Sequence, residues 1–213
     1  ALETGVARVA LDADGVPAFS LPPAAYDALD SGDAIRTGLP AYAPHAVCFG
    51  TLAQRTAKNR AEIAVLLDNC TAQHVFFDVN IRMDFCDRDV LEDGFRRATI
   101  VKVNDEECAR ISALLCGKEE SPFDFTARLC RSYQVDAAVV TMGADGCFAR
   151  RGDETVRVPG VRVHVADTVG AGDAFSAAFL AALLRGDTIA AAAEQGNARG
   201  AFVAARRGAL PDE

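Results

Sequence analysis

The 213 residues carry 22 Lys and Arg against 30 Asp and Glu, a formal net charge of −8, and half of the chain is apolar. That balance excludes an intrinsically disordered chain, which is poor in apolar residues and rich in charge. A sequence pI near 4.9 argues against a nucleic-acid partner, because phosphate contacts favour a basic face.

In chain order, Val6–Leu11 and Val16–Leu21 alternate loosely around Asp12-Ala13-Asp14-Gly15, which predicts a β-hairpin. Short apolar runs at 46–50, 75–79, 99–103 and 137–141 predict four strands. Helical patterns over 57–69, 89–97, 105–116 and 125–133 fall between them. Two short β segments flank Gly152-Asp153, and two Ala/Leu-rich helices are predicted over 172–185 and 188–205. Apolar strands alternating with helices predict an α/β fold, a parallel sheet with helices on both faces.

The seven cysteines include no Cys-x-x-Cys pair, so neither a zinc site nor a disulfide framework is expected. Each is read as a small buried apolar residue in a reduced, cytoplasmic protein. No run of about 18 apolar residues is present to span a membrane. The chain opens Ala-Leu-Glu-Thr without Met, which suggests sequence upstream. His45, His74 and His164 lack metal-ligand spacing and are expected to be structural.

Ligands of such sheets lie beyond the carboxyl ends of the strands. The residues there are Gly50–Arg55, Asp78–Arg82, Asn104–Glu107 and Thr141–Gly146, all polar or Gly-rich. Asp167-Thr168-Val169-Gly170-Ala171-Gly172-Asp173-Ala174-Phe175 is the most informative segment. Small residues opening a helix leave first-turn amides free for an anion such as a transferring phosphoryl group. Asp173 stands in that first turn, where the positive end of the helix favours a carboxylate able to accept a hydroxyl proton. A plain helix N-cap would look the same over Gly-Ala-Gly-Asp alone. A dinucleotide fingerprint fails because Phe175 stands where its third Gly would fall. A Walker loop fails because Ser112 stands where the first Gly before Gly117-Lys118 is needed. Asp78 and Asn80 could instead cap a turn, Arg82 could pair with Asp84 or Asp87, and Gln54 and Arg55 fit a substrate-side loop or a plain strand end.

Residues 167–175 match Asp-Thr-x-Gly-Ala-Gly-Asp-x-Phe at every specified position, and the sequence thereby resembles the ribokinase-like, or PfkB, carbohydrate kinases. Lys102–Glu107 matches Lys-x-Asn-x-x-Glu, Thr141–Gly146 matches Thr-x-Gly-x-x-Gly, and Asp78-x-Asn80-x-Arg82 resembles fructokinase-like members. The resemblance implies a three-layer α/β/α sandwich with a mainly parallel sheet, residues 23–213 forming the kinase core and 1–22 part of a small β lid. It further implies Asp173 as catalytic base, with the amides of Gly170, Ala171, Gly172 and Asp173 holding phosphoryl charge. Asn104, Glu107, Thr141, Gly143, Gly146 and Asn197 would bind ATP, Glu107 also Mg²⁺ through water. Asp78, Asn80, Arg82 and Asp173 would meet the sugar, and Asp167, with the Arg207–Ala209 loop, a monovalent cation such as K⁺. The implied reaction is ATP-dependent phosphorylation of a sugar, fructose first; 2-keto-3-deoxygluconate, ribose or a nucleoside are alternatives, as is a non-catalytic nucleotide-binding remnant. The lid implies a possible homodimer. Two features depart from the family pattern. Its N-terminal Gly-Gly-x-x-x-Asn-type sugar motif is missing, and no Trp follows Arg82, where only Phe85 is nearby.

Overall fold

The computed structural model describes residues 2–11, 17–32, 44–83 and 85–211. Strand β1 (Arg8–Leu11) pairs antiparallel with β2 (Pro17–Ser20) as a sheet of its own. The expected Asp12–Gly15 turn lies outside the described residues.

The main sheet has six strands in chain order. They are β3 (Ala46–Phe49), β4 (His74–Asp78), β5 (Ile100–Asn104), β6 (Ala137–Thr141), β7 (Cys147–Arg151) and β8 (Glu154–Val158). The first four are parallel, and β7 and β8 turn back antiparallel. Helices α1 (Ala57–Asp68), α2 (Arg88–Arg97), α3 (Asp105–Cys116) and α4 (Pro122–Tyr133) supply the crossovers that parallel strands require. Helices α5 (Ala171–Leu184) and α6 (Ile189–Ala204) close the chain.

Alternation along the strands divides the core. Phe76, Ile100, Ala137 and Val139 face α5 and α6, packing against Phe175, Phe179, Ile189 and Ala192. Phe77, Val101, Val103 and Val140 face the other way, onto Leu91, Phe95, Ile111, Phe125 and Leu129 from α2, α3 and α4. The result is the expected three-layer α/β/α sandwich. α6 packs closely on α5 because Gly196 and Gly200 present no side chain to it; a Cβ at Gly196 would stand 3.0 Å from the Phe175 ring.

Local capping sets the helix starts. Thr56, Asp87, Asn104, Ser121 and Thr188 each accept a hydrogen bond from the third residue onward, leaving fewer orphan amides. α4 begins three residues earlier than the apolar pattern suggests, because Ser121 caps it and Pro122 occupies its first position.

One expectation is corrected, and the alternatives left open for Gln54 and Arg55 are narrowed. The cysteines are all free, but only Cys108 and Cys147 are buried, while Cys48 and Cys116 are exposed; apolar neighbours in sequence do not guarantee cover in space. Arg55 is not open toward a ligand. It ion-pairs with Asp27, donates to the carbonyls of Leu21 (2.7 Å) and Pro22 (3.0 Å), and lies over the Tyr26 and Phe85 rings. Gln54 is likewise buried and donates to the Gly50 carbonyl at 2.9 Å. Arg55 fastens the segment after the hairpin to the loop that follows β3, while Gln54 bonds within that loop.

Candidate active site

The parallel strands bring Asp78, Asn104 and Thr141 to one edge of the sheet, with Asp78 in register with Lys102 and Asn104 with Thr141. Helix α5 begins above that edge. Gly170 caps it in the left-handed region, φ 79°, where a residue with a Cβ would be strained. The turn is tight for a second reason: a Cβ at Gly170 would stand 2.7 Å from that of Ala209.

The N–H of Ala171 donates to the Thr168 carbonyl at 3.2 Å, and Ala174 makes the first regular helical bond, to Gly170. Of the four amides expected to hold phosphoryl charge, that of Ala171 thus already has a partner within the turn. Gly170, Gly172 and Asp173 have backbone N–H groups without partners among the described residues, while that of Ala171 is spent on the turn. Asp173 is exposed in the first turn.

Beneath this turn lies a buried polar strut that the sequence did not disclose. The Lys102 ammonium donates to both oxygens of Asp78, at 3.0 and 3.2 Å, and the Ser176 hydroxyl donates to the same carboxylate at 2.7 Å. Lys102 is 8% exposed. It sits on the α5 face of β5, and its Nζ is 3.4 Å from where a Cβ on Gly172 would be. A lysine inside Ile-Val-Lys-Val-Asn was the available signal, because a buried lysine requires a partner.

The expected substrate residues separate. Asp78 is occupied by Lys102 and Ser176. Asn80 is half-buried with φ 46°, and its carbonyl accepts from the Thr51 hydroxyl at 3.2 Å. Arg82 is exposed with no ion-pair partner among the described residues. Asp84 lies outside them, and Asp87 instead pairs with Arg60 at 2.8 Å and caps α2.

Asn104 and Glu107 form a reciprocal capping box. The Glu107 N–H donates to Asn104 Oδ1 at 2.7 Å, and the Asn104 N–H returns a bond to Glu107 Oε2 at 2.9 Å. The other Glu107 oxygen accepts the Ile81 N–H at 2.7 Å, tying the loop after β4 to the start of α3. Burial pushes the Glu107 carboxyl above its ordinary range, partly offset by those two amides.

Thr141–Gly146 closes the β6–β7 hairpin around a short helical turn, Gly143–Asp145, with Gly143 at φ 52°. Gly146 has φ 88°, and a Cβ there would stand 1.9 Å from the Val158 carbonyl oxygen, so the hairpin packs backbone to backbone on the end of β8. Asn197, buried on α6, donates to the neighbouring Pro159 carbonyl at 2.7 Å. Asp167 accepts from Val169 (3.0 Å) and Gly208 (3.1 Å), and these amides hold its carboxyl below the ordinary range.

Among the described residues no three His, Cys, Asp or Glu side chains form a metal cage. A divalent cation would thus depend on water and phosphate oxygens, a donor set that suits Mg²⁺. Glu107, with both oxygens already accepting amides, fits an outer position reached through water.

The family model for pfkB carbohydrate kinases matches residues 45–213. The chain belongs to that family. Within it, the fructokinase of Escherichia coli is 30% identical over 142 residues, 64% of this chain and 45% of that protein. The aminoimidazole riboside kinase of Salmonella typhimurium is also 30% identical, over 64% of this chain and 44% of its own. Among solved structures, fructokinase from Vibrio cholerae O395 with fructose, ADP and calcium superposes with a TM-score of 0.78 at 23% identity, covering 95% of this chain and 68% of that one. The pfkB chain described here spans less than half the length of the curated relatives it matches. No helix among the described residues is long and apolar enough to cross a membrane.

Proposed function

We propose that the whole protein transfers the γ-phosphoryl group of ATP to a hydroxyl of a sugar, with a ketohexose such as fructose as first choice. The observation that carries this reading is the start of α5. An exposed carboxylate, Asp173, shares one helical turn with three amides that have no partner among the described residues, at the sheet edge where the Asn104–Glu107 and Thr141–Gly146 segments also end.

In this reading Asp173 accepts the proton of the attacking hydroxyl, and the amides of Gly170, Gly172 and Asp173 stabilise charge on the transferring group. Electrostatic positioning of that kind supplies most of the catalysis in phosphoryl transfer. Asn104, Thr141, Gly143, Gly146 and Asn197 flank the nucleotide, the glycines allowing close backbone approach. Mg²⁺, when bound, neutralises phosphate charge, and Glu107 orients its water shell. Asn80 and Arg82 face the sugar side, and Asp78 acts there through its strut. Asp167 anchors the 205–211 loop, through which K⁺ would be felt. The β1–β2 hairpin forms part of a lid, separate from the core over residues 23–213, and would mediate a homodimer. A cytoplasmic location accords with free thiols.

The test is Asp173→Asn in the full-length chain, assayed by sugar-dependent ADP release. The expected loss in kcat is about 10²–10⁴-fold, with ATP affinity retained. Near-wild-type turnover would refute the assignment. A panel of fructose, 2-keto-3-deoxygluconate, ribose and nucleosides decides the acceptor. Turnover of nucleosides without ketoses would overturn the first choice.

A further inference from the structure

Arg150 is a cation buried in β7, 7% exposed, and no carboxylate among the described residues pairs with it. Cys147 and Ala149 on the same strand point to α5 and α6, so by alternation Arg150 faces α4. There its Nε donates to the Thr126 hydroxyl at 3.3 Å and its Nη1 to the Gly152 carbonyl at 3.5 Å, both long bonds to neutral acceptors. Nη2 is enclosed and has no partner among the described residues. The Phe123 ring, 4.7 Å from the guanidinium carbon, offers a π-face and no acceptor oxygen. A guanidinium taken out of water without a counter-charge is costly, and a buried donor left unmet calls for an ion or a water. The unused N–H groups on Nη1 and Nη2 form one edge of the fork that grips a planar oxyanion through two parallel bonds.

The surroundings select the anion. Phe123 is 53% exposed, rests edge-on against Phe148, and borders an open recess of about 430 Å³. The charges lining that recess cancel, with Lys118, Arg128 and Arg131 against Glu119, Glu120 and Asp124. Arg150 adds a surplus of one positive charge, which suits a monoanion better than a phosphate dianion, and the aromatic pair suits an apolar body behind it. We propose that Arg150 anchors a second ligand site, its Nη1–Nη2 edge binding the carboxylate of a small apolar acid, with the Phe123 ring swinging out to admit the ligand and then covering it. The site is separate from the candidate active site. Arg150 stands opposite Ala138, three residues back along β6 from Thr141, or about 10 Å along the strand. The inference does not depend on the kinase reading.

The test uses the full-length chain with benzoate as the probe, its affinity read by ligand-observed NMR, and inorganic phosphate as the comparison anion. Arg150→Met removes the fork and keeps an apolar stem. The expected result is a loss of benzoate affinity of about tenfold or more, the weight of hydrogen bonds to a charged group. The melting temperature without probe should stand at or above wild type, because an uncompensated buried charge has been removed. Wild type is expected to bind phosphate more weakly than benzoate. A second readout needs no variant. Burial pushes the Cys130 thiol up and the Arg150 charge opposes it, so a carboxylate that neutralises Arg150 should lower the thiolate fraction and slow alkylation of Cys130, followed by mass spectrometry. Benzoate affinity in Arg150→Met within about twofold of wild type, phosphate binding as tight as benzoate, or no benzoate binding by wild type would each overturn the proposal. If Arg150→Met unfolds, the Cys130 rate decides: slowing by saturating benzoate supports the site, and an unchanged rate overturns it.

Discussion

Gly170→Ala tests how far the start of α5 depends on one backbone conformation. At φ 79° a residue with a Cβ pays about 1–2 kcal/mol in local strain. The new methyl would also meet Ala209 at 2.7 Å from its Cβ, 2.8 Å from its Cα and 2.9 Å from its carbonyl oxygen. Carbon atoms rest at about 3.5–4.0 Å, so the 205–211 loop must retreat by roughly 0.8 Å or the helix must tilt. Overpacking of this kind costs typically about 1–3 kcal/mol. Together the two effects amount to about 2–5 kcal/mol. At roughly 2–4 °C per kcal/mol for a domain of this size, the melting temperature should fall by at least about 4 °C. Gly172→Ala is the control. Its Cβ falls at an ordinary contact distance inside the helix, where replacing Gly by Ala stabilises by about 0.5–1 kcal/mol. The assay is thermal unfolding of both variants beside the wild type, with turnover measured in parallel. Displacing the amides by a fraction of an ångström should lower kcat in Gly170→Ala by about 10–10²-fold. If Gly170→Ala melts within about 1 °C of wild type, or below Gly172→Ala by no margin, the strain argument is refuted.

Arg55→Met leaves the Asp27 carboxylate buried without its guanidinium, takes from the Leu21 carbonyl its donor among the described residues, and leaves the Pro22 carbonyl with only the 3.4 Å bond from the Tyr26 hydroxyl. The expected outcome is earlier proteolytic cleavage around residues 21–27, with a loss of about 1–3 kcal/mol; a digestion pattern identical to wild type would count against the clamp. Arg55 holds the Asp27 carboxyl below its ordinary value, so the stability this pair supplies is present above the unfolded pKa near 3.8 and is lost as pH falls through the lower folded value. Acid detachment of the 21–27 segment should begin only below that pH, and hydrogen exchange would follow it. Glu107 has the opposite sign. Burial raises its folded pKa above 4.5, so between the two values the folded state binds more protons, and this group's contribution declines as pH rises through that window. Glu107→Gln should remove that slope from the urea-unfolding profile; an unchanged slope would show that another group carries it.

Pattern alone determined much of this protein. Apolar runs separated by helical periodicity required a layered α/β sheet, because such strands must be covered on both faces. The 167–175 segment also placed a small-residue helix start beside an acidic residue, a property of local backbone conformation. What the tertiary structure decided are relations between residues distant in sequence. That the turn at Gly170 has no room for a side chain depends on Ala209, 39 residues away. That Arg55 is a clamp, with no face open to a ligand, depends on Asp27, 28 residues away. The role of Asp78 was open in the sequence, because a carboxylate after a strand can cap, bind or pair. Periodicity reports which face a residue occupies. Only packing reports which other residue is there to meet it.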